Sequence, residues 1–362
     1  MADVLDLLAK LALEPDREFA NLISAAERAL QDFSGFGHVS LNASGLVSLQ
    51  AALHAAGVGP GCEVVCDVMF PFGVLAALQL GATPVAADIS RDTLTMDAAS
   101  LADAVNSKTR AVVATASYGV LPCTQNLRQA LVGRTDLILV EDHAQAFTAR
   151  SGKDVSGAPD VVCMSFQTGK LLSVGHGGAV ACNRVDLDSA VRRYVSLGWY
   201  PRYTQRGQID WEGSWRERIS TCLSARLPPI AAGLLLGRLE HMRARHATHV
   251  DNLWALLDRL SASLKDVSIQ AYPSLARVHR WRVALVAAGE REAAHTQARL
   301  AAVGSHAYRP NYPPVPQWPC FQPCGMRLPP NTSDLLGRLV LLPVADEAEL
   351  DRELRAVSEL KC

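Results

Sequence analysis

Between residues 40 and 185, short apolar runs alternate with helical patterns, and this alternation limits the possible folds more than any other feature of the chain. The runs lie at 63–66, 83–87, 111–114, 137–140, 161–164 and 178–181. They are almost free of polar residues, as expected of strands buried on both faces. Residues 47–56, 74–80 and 98–105 between them have the spacing of helices. Strand–helix alternation of this kind predicts an α/β fold, a mostly parallel central sheet covered by helices. In such sheets ligand-binding residues gather where strands end and loops begin.

Beyond that region the chain changes character. Residues 201–222 are polar, aromatic and rich in both charges. They read as a long excursion, in which Trp211, Trp215, Arg216 and Arg218 would shape either a substrate site or a dimer contact. Residues 230–239, and a heptad-like continuation through 260, read as helix. The remainder reads as a smaller α+β unit, with prolines crowding 310–330 and keeping that stretch extended or turning. A length of 362 residues suggests about two domains, placed here at 1–235 and 236–362.

Composition removes several classes of function. Apolar residues make up 49% of the chain and charged residues 20%, which excludes disorder as the main state. Thirty-five basic residues against 36 acidic ones leave a net charge of −1, so no nucleic-acid footprint is indicated. No uncharged apolar stretch approaches the ~18 residues of a membrane span. Asp3, Asp6 and Glu14 are at odds with a secretory signal. The nine cysteines are odd in number and scattered, which argues against a disulfide scaffold and for a cytoplasmic location. Their spacing offers no metal site.

Three clusters carry candidate chemistry. An apolar run delivers Asp142 to its carboxyl end, with Gln145 three residues on. A second run ends at Ser165, and Lys170 follows in a short loop. The third is the flexible turn Gly175-His176-Gly177-Gly178. A desolvated lysine loses proton affinity and becomes a nucleophilic amine suited to Schiff-base chemistry. A carboxylate at a neighbouring strand end can pair with a protonated pyridine nitrogen. Together these are the requirements of pyridoxal 5'-phosphate. Its phosphate needs small residues and backbone amides at a helix start, which Ser44-Gly45-Leu46 supplies ahead of the helix at 47–56. The nucleotide-binding alternative fails, because a phosphate-binding GxxxxGK[ST] loop would need glycine at Met164 and a hydroxyl at Leu171. Taken singly, Lys170 reads as a surface lysine, Asp142 and Ser44 as turn or cap residues, and Phe70 as core. Only the ordered set is specific.

That ordered set resembles the DegT/DnrJ/EryC1/StrS family of pyridoxal-phosphate sugar aminotransferases, a fold-type-I group. Gly57-Val-Gly-Pro-Gly-Cys-Glu-Val64 resembles the family's GIGPGDEV. Tyr118-Gly119 and residues 141–146 resemble its YG and EDAAQA. Residues 165–170 followed by 175–180 resemble SFxxxK and GEGGAV, and Arg338 with 341–344 matches a late segment more loosely. The resemblance runs from about residue 35 to 355 and implies a role for each candidate. Lys170 would bond the cofactor's aldehyde carbon and shuttle the substrate proton. Asp142 would bind the pyridine nitrogen, and Gln145 would touch the ring's hydroxyl face. Phe70 would stack on the ring, and Ser165 with Ser44, Gly45 and Leu46 would hold the phosphate. The family implies a homodimer with the site at the interface, where a partner asparagine aligns with Ser224 of this chain.

The chain departs from the family pattern at three positions. Leu46 stands where the phosphate turn usually has threonine, Ser224 where it has asparagine, and His176 where it has glutamate. Lys170 is retained, whereas relatives that dehydrate sugars carry histidine there. The resemblance implies an aminotransferase with an amino-acid donor, glutamate or glutamine, and a keto-sugar or similar acceptor in amino-sugar or secondary metabolism. Two alternatives stay open: another reaction on the same cofactor (decarboxylation, elimination or condensation), and a non-catalytic regulatory descendant.

Overall fold

A computed structural model describes residues 15–148, 158–198, 222–271 and 278–360. Trp211, Trp215, Arg216 and Arg218 lie outside the described residues, as do Asp3, Asp6 and Glu14. The apolar runs form the centre of the larger unit. Strands β1 (His38–Asn42), β2 (Glu63–Asp67), β3 (Thr83–Ala87), β4 (Thr109–Thr115), β5 (Ile138–Asp142), β7 (Val161–Ser165) and β8 (Gly178–Cys182) make one sheet in the order β1-β8-β7-β5-β4-β2-β3. From β3 to β7 the pairs are parallel. Strand β8 runs antiparallel to β7, and β1 antiparallel to β8.

Successive residues of a strand point to opposite faces, and here both faces are covered. On β2, Val64 and Cys66 face a core shared with helices α2 (Gly45–Ala55), α3 (Phe72–Gln79) and α6 (Val185–Val195). Val65 faces the other side, beneath α4 (Ala98–Ala104) and α5 (Thr124–Ala130). Further along the sheet Val162, Met164, Ala179 and Ala181 pack beneath α1 (Pro15–Ser34) and the first half of α7 (Pro229–Ser263). Double coverage removes the need for polar alternation, which is why the runs are almost wholly apolar.

Helix α7 is 35 residues long and serves two cores. Leu235 and Leu239 pack against the large sheet, while Leu253, Leu256, Leu257 and Leu260 pack in the C-terminal unit. Position 235 therefore lies inside a continuous helix. The C-terminal unit holds an antiparallel sheet in the order β12-β11-β9, from Leu339–Pro343, Arg282–Ala287 and Val267–Ile269. Helices α8 (Glu290–Ala302) and α10 (Glu347–Ser358) cover it; α9 (Pro330–Leu336) follows the proline-rich stretch, starting on Pro330 as a first-turn proline can.

Polar contacts and a strand pair join the units. Asp88 accepts from the Asn331 and Thr332 amides at 2.9 and 3.0 Å, closing the start of α9. The Gln270 side-chain amide donates to the carbonyls of Thr93 and Ser117 at 2.6 and 2.9 Å. Strand β10 (Val278–Arg280) pairs antiparallel with β6 (Ala146–Thr148), just past Gln145. Among the described residues no helix is long and apolar enough to cross a membrane, and no group of three or more His, Cys, Asp or Glu is placed to hold a metal ion.

Candidate active site

Four strand ends and one helix start meet at the carboxyl edge of the sheet. Helix α2 begins at Gly45, and Ser44 caps it by accepting from the Val47 amide at 3.2 Å. The backbone here leaves no room for side chains. A Cβ added at Gly45 would lie 2.7 Å from Ser165 Cβ, and one at Gly178 would lie 2.5 Å from the backbone of Ser44. Ser165, at the end of β7, pairs across to Gly178 at the start of β8. The result is a cradle of backbone amides and two serine hydroxyls at a helix N-terminus, suited to a phosphate group. Leu46 is a hydrocarbon and adds no side-chain donor; partly buried, it packs against the apolar core. Ser224 is exposed and bridges Ser196. Its neighbour Ala225 accepts from the Ala43 amide at 2.8 Å.

Asp142 is the last residue of β5 and is buried. Its Oδ1 accepts from the Ala144 amide at 2.9 Å, and its Oδ2 has no hydrogen-bond partner among the described residues. Burial raises its proton affinity above the ordinary carboxylate range, opposed by the Ala144 amide and then by the charge of Lys170. Such a carboxyl is best satisfied by a cationic N–H.

Lys170 sits in the loop that turns β7 back into β8. That loop is closed by Phe166 N donating to Gly177 O at 2.8 Å and Thr168 N to Gly175 O at 2.9 Å. The tight turn requires left-handed backbone at Gly169, with φ 83°. Burial brings the Lys170 amine down from 10.5 to about 8; the Asp142 charge opposes that shift and Arg282 adds to it. At neutral pH a useful fraction of the amine is therefore unprotonated and nucleophilic.

Gln145 is buried, and its Oε1 accepts from the Tyr118 amide at 2.8 Å. Its NH2 group remains the donor for a ligand. Phe70, half-buried, meets Tyr118 edge to face at 5.4 Å in a cluster with Tyr308 and Tyr312. Lys170 and Asp142 thus share one end of the sheet, with Gln145 in the loop that follows Asp142. Ser44, Gly45 and Ser165 form the adjoining cradle. His176 is exposed in the turn before β8.

The structure adds residues to which the sequence assigns no role. Asp67 ends β2, and its Oδ2 accepts from the Thr115 amide at 2.6 Å. Thr115 is itself in register with Asp142. Burial pushes the Asp67 carboxyl up to about 6, with the Asp142 charge adding to the rise. Tyr118 holds a left-handed backbone, φ 56°, and Gly119 beside it has φ 99° with Arg280 pressed against it. The Tyr-Gly pair is the only local signal for this turn. Trp281 and Arg282 come from the C-terminal unit, and nothing local in the sequence marks them. The Trp281 ring centre lies 4.1 Å from Lys170 Nζ.

Comparison with known proteins agrees with this architecture. The family model for the DegT/DnrJ/EryC1/StrS aminotransferases matches residues 19–361. The chain is 29% identical over 232 residues to Protein MosB of Rhizobium meliloti, covering 62% of this chain and 46% of that protein. It is 35% identical over 174 residues to the L-glutamine:2-deoxy-scyllo-inosose aminotransferase of Streptoalloteichus tenebrarius, covering 47% and 41%. In these matches the chain spans about half the length of the curated relatives. The solved structure of 3-amino-5-hydroxybenzoic acid synthase superposes with a TM-score of 0.79 at 22% identity, over 98% of this chain and 94% of that one. An aminotransferase structure from Psychrobacter cryohalolentis gives 0.79 at 20% identity, over 98% and 95%. At these identities the structural likeness establishes the fold.

Proposed function

We propose that this chain, which belongs to the DegT/DnrJ/EryC1/StrS aminotransferase family, moves an amino group from an amino-acid donor to a keto acceptor using pyridoxal 5'-phosphate. The observation that carries the reading is the presence, at one end of the sheet beside a glycine-lined helix start, of a buried amine of lowered proton affinity, Lys170, and a buried carboxyl, Asp142, close enough to feel each other's charge. These residues suit the cofactor. Ser44, Ser165 and the amides at the start of α2 would hold its phosphate, Asp142 its ring nitrogen, Gln145 its hydroxyl side and Phe70 its ring face. When bound, the cofactor supplies an electron sink for the carbon that loses a proton.

The chain's own residues supply the rest. Lys170 would take the proton from the donor's α-carbon and carry it as an ammonium, which an amine held near 8 can do close to neutrality. Asp142 would favour the protonated form of the ring nitrogen. The cradle would hold the phosphate. Residues 1–235 would hold the cofactor and residues 236–362 would close the donor side. A homodimer would bring Ser224 of one chain to the phosphate of the other.

The acceptor is a keto-sugar or keto-cyclitol, and the donor glutamate or glutamine. The named activities of relatives support this class. One is an L-glutamine:2-deoxy-scyllo-inosose aminotransferase, and another, in Pseudomonas aeruginosa, is a UDP-2-acetamido-2-deoxy-3-oxo-D-glucuronate aminotransferase. The test is the visible absorbance of the protein with added pyridoxal phosphate, before and after glutamate or glutamine, beside Lys170→Ala. A Lys170-dependent band bleached by a donor, with release of the keto acid, is expected. A stable band indifferent to every donor would replace transamination with another reaction on the same cofactor. No band at all would remove the cofactor from the reading.

A further inference from the structure

The amine that does the chemistry must be held somewhere when it is not bonded to cofactor or substrate. Lys170 Nζ lies over the face of Trp281, 4.1 Å from the ring centre. The ring is not free to drift. Its indole N–H donates to the carbonyl of Gly169, the residue before Lys170, at 2.9 Å. The Trp281 backbone amide donates to the carbonyl of Gln145 at 3.1 Å. One residue of the C-terminal unit is therefore tied both to the Lys170 loop and to the loop after Asp142. Arg282 completes the arrangement: its guanidinium carbon lies 4.3 Å from the same ring centre, its Nε donates to the Tyr308 hydroxyl at 3.1 Å, and its Nη1 to the Trp281 carbonyl at 2.7 Å.

We propose that Trp281 is the positioning residue for Lys170: its ring face receives the amine whenever Lys170 is unbonded and holds it within reach of the strand-end pocket. The proposal rests on the reading of Lys170 as the reactive amine. The chemistry of the perch suits that task. A carboxylate in the same place would form a charge-assisted hydrogen bond, raise the amine's basicity and retain it. A ring face attracts the ammonium through its quadrupole without offering a hydrogen-bond acceptor, so the hold is weak and non-directional. The amine can leave it without breaking a hydrogen bond. Because the ring is carried by the C-terminal unit, the perch exists only when that unit is docked against Gly169 and Gln145.

The test is made on the protein without cofactor, where it does not depend on turnover. The chain has six lysines, so 13Cε-lysine NMR can follow Lys170 through a pH titration, with Lys170→Met to assign its signal. Trp281→Leu and Trp281→Met fill the space with apolar atoms but remove the ring face, and Trp281→Phe restores a face. The Lys170 pKa is expected to fall by about 0.4–1.5 units in the Leu and Met variants, the range of a cation–π contact converted by 1.36 kcal/mol per unit. It should recover at least half of that in the Phe variant. Two aliphatic variants guard against one failing to fold, which thermal melting would show. An unchanged Lys170 titration in either folded aliphatic variant, or a Phe variant indistinguishable from it, overturns the proposal. Loss of the donor half-reaction in the unmodified protein would overturn the transamination reading while leaving this titration to be judged by itself.

Discussion

The cradle at the start of α2 makes a prediction whose sign depends on a single neighbour. Gly45 occupies the first position of a helix, and its backbone is not in the left-handed region. By propensity alone, Gly45→Ala should stabilise the chain by about 0.4–1 kcal/mol. The structure reverses that expectation. The new Cβ would fall 2.7 Å from Ser165 Cβ and 3.0 Å from Ser165 Oγ; rotation about χ1 can move the hydroxyl but not the Cβ, so the closer contact stays. Overpacking of this kind costs about 1–3 kcal/mol. The net expectation is a loss of about 1–2 kcal/mol in urea unfolding. The collision belongs to the Ser165 side chain, because the next contact, Ser165 Cα at 3.4 Å, is ordinary van der Waals distance. In a Ser165→Gly background, Gly45→Ala should therefore be neutral or stabilising. A double-mutant cycle in urea would show a coupling of about 1–3 kcal/mol. Additive losses, or a stabilising Gly45→Ala in the parent, would refute the close approach on which the phosphate cradle rests.

Other perturbations test the electrostatics. Lys170→Met should raise stability by about 1–3 kcal/mol near pH 7, since it removes a cation held near 8 in the fold against 10.5 when freely solvated. The folded state bears that penalty in full below about pH 8 and loses it as pH rises toward 10.5, so the gain should shrink over that window in a pH series of melts. Asp67→Asn keeps an oxygen for the Thr115 amide but removes a carboxyl held near 6 against 3.8. The parent loses stability as pH rises through that interval, so the variant's advantage should grow between pH 4 and 6 to about 1–3 kcal/mol; a difference that stays flat with pH would be the contrary result. Arg192 pairs with Glu27 at 3.0 Å and Asp188 at 2.9 Å, and donates to the Val39 carbonyl at 2.6 Å. Arg192→Ala should cost about 3–5 kcal/mol in urea unfolding by leaving two largely buried carboxylates uncompensated.

What is legible in the sequence depends on whether the cause of a feature is local. The central strands are legible, because burial on both faces demands unbroken apolar runs. Two of their ends are legible as well: the runs that carry Asp142 and Ser165 at their carboxyl ends predict where β5 and β7 stop, and both strands end on those residues. Strand β1 leaves no clear local pattern, because His38–Asn42 is short and mixed in polarity, and antiparallel pairing to β8 is what orders it. Lys170, Asp142, Gln145 and the Ser44–Leu46 turn stand out as an ordered set, and the structure brings them to one edge. Trp281 does not, because its significance lies wholly in what Gly169, Lys170 and Gln145 do far away in the chain. Leu46 reads as a missing hydroxyl, and its side chain proves to be spent on the core.

Helix α7 has a consequence for which changes of chain length this molecule can accept. It is a rod of 35 residues, about 52 Å long at 1.5 Å per residue, with one core at each end. An inserted residue between Leu239 and Leu253 would turn everything downstream by about 100° and advance it by 1.5 Å. That turn would rotate the second half's leucines together with the sheet they pack on, and so swing the Trp281 bend away from the Lys170 loop. An insertion of about seven residues, close to two full turns, would nearly restore the facing, but it would still leave the far unit about 10 Å out of place. The middle of α7 is therefore a stretch where side chains can vary on the solvent face but the register cannot. A gap in related chains at this point would mark proteins that have lost the junction between the amine and the ring that covers it.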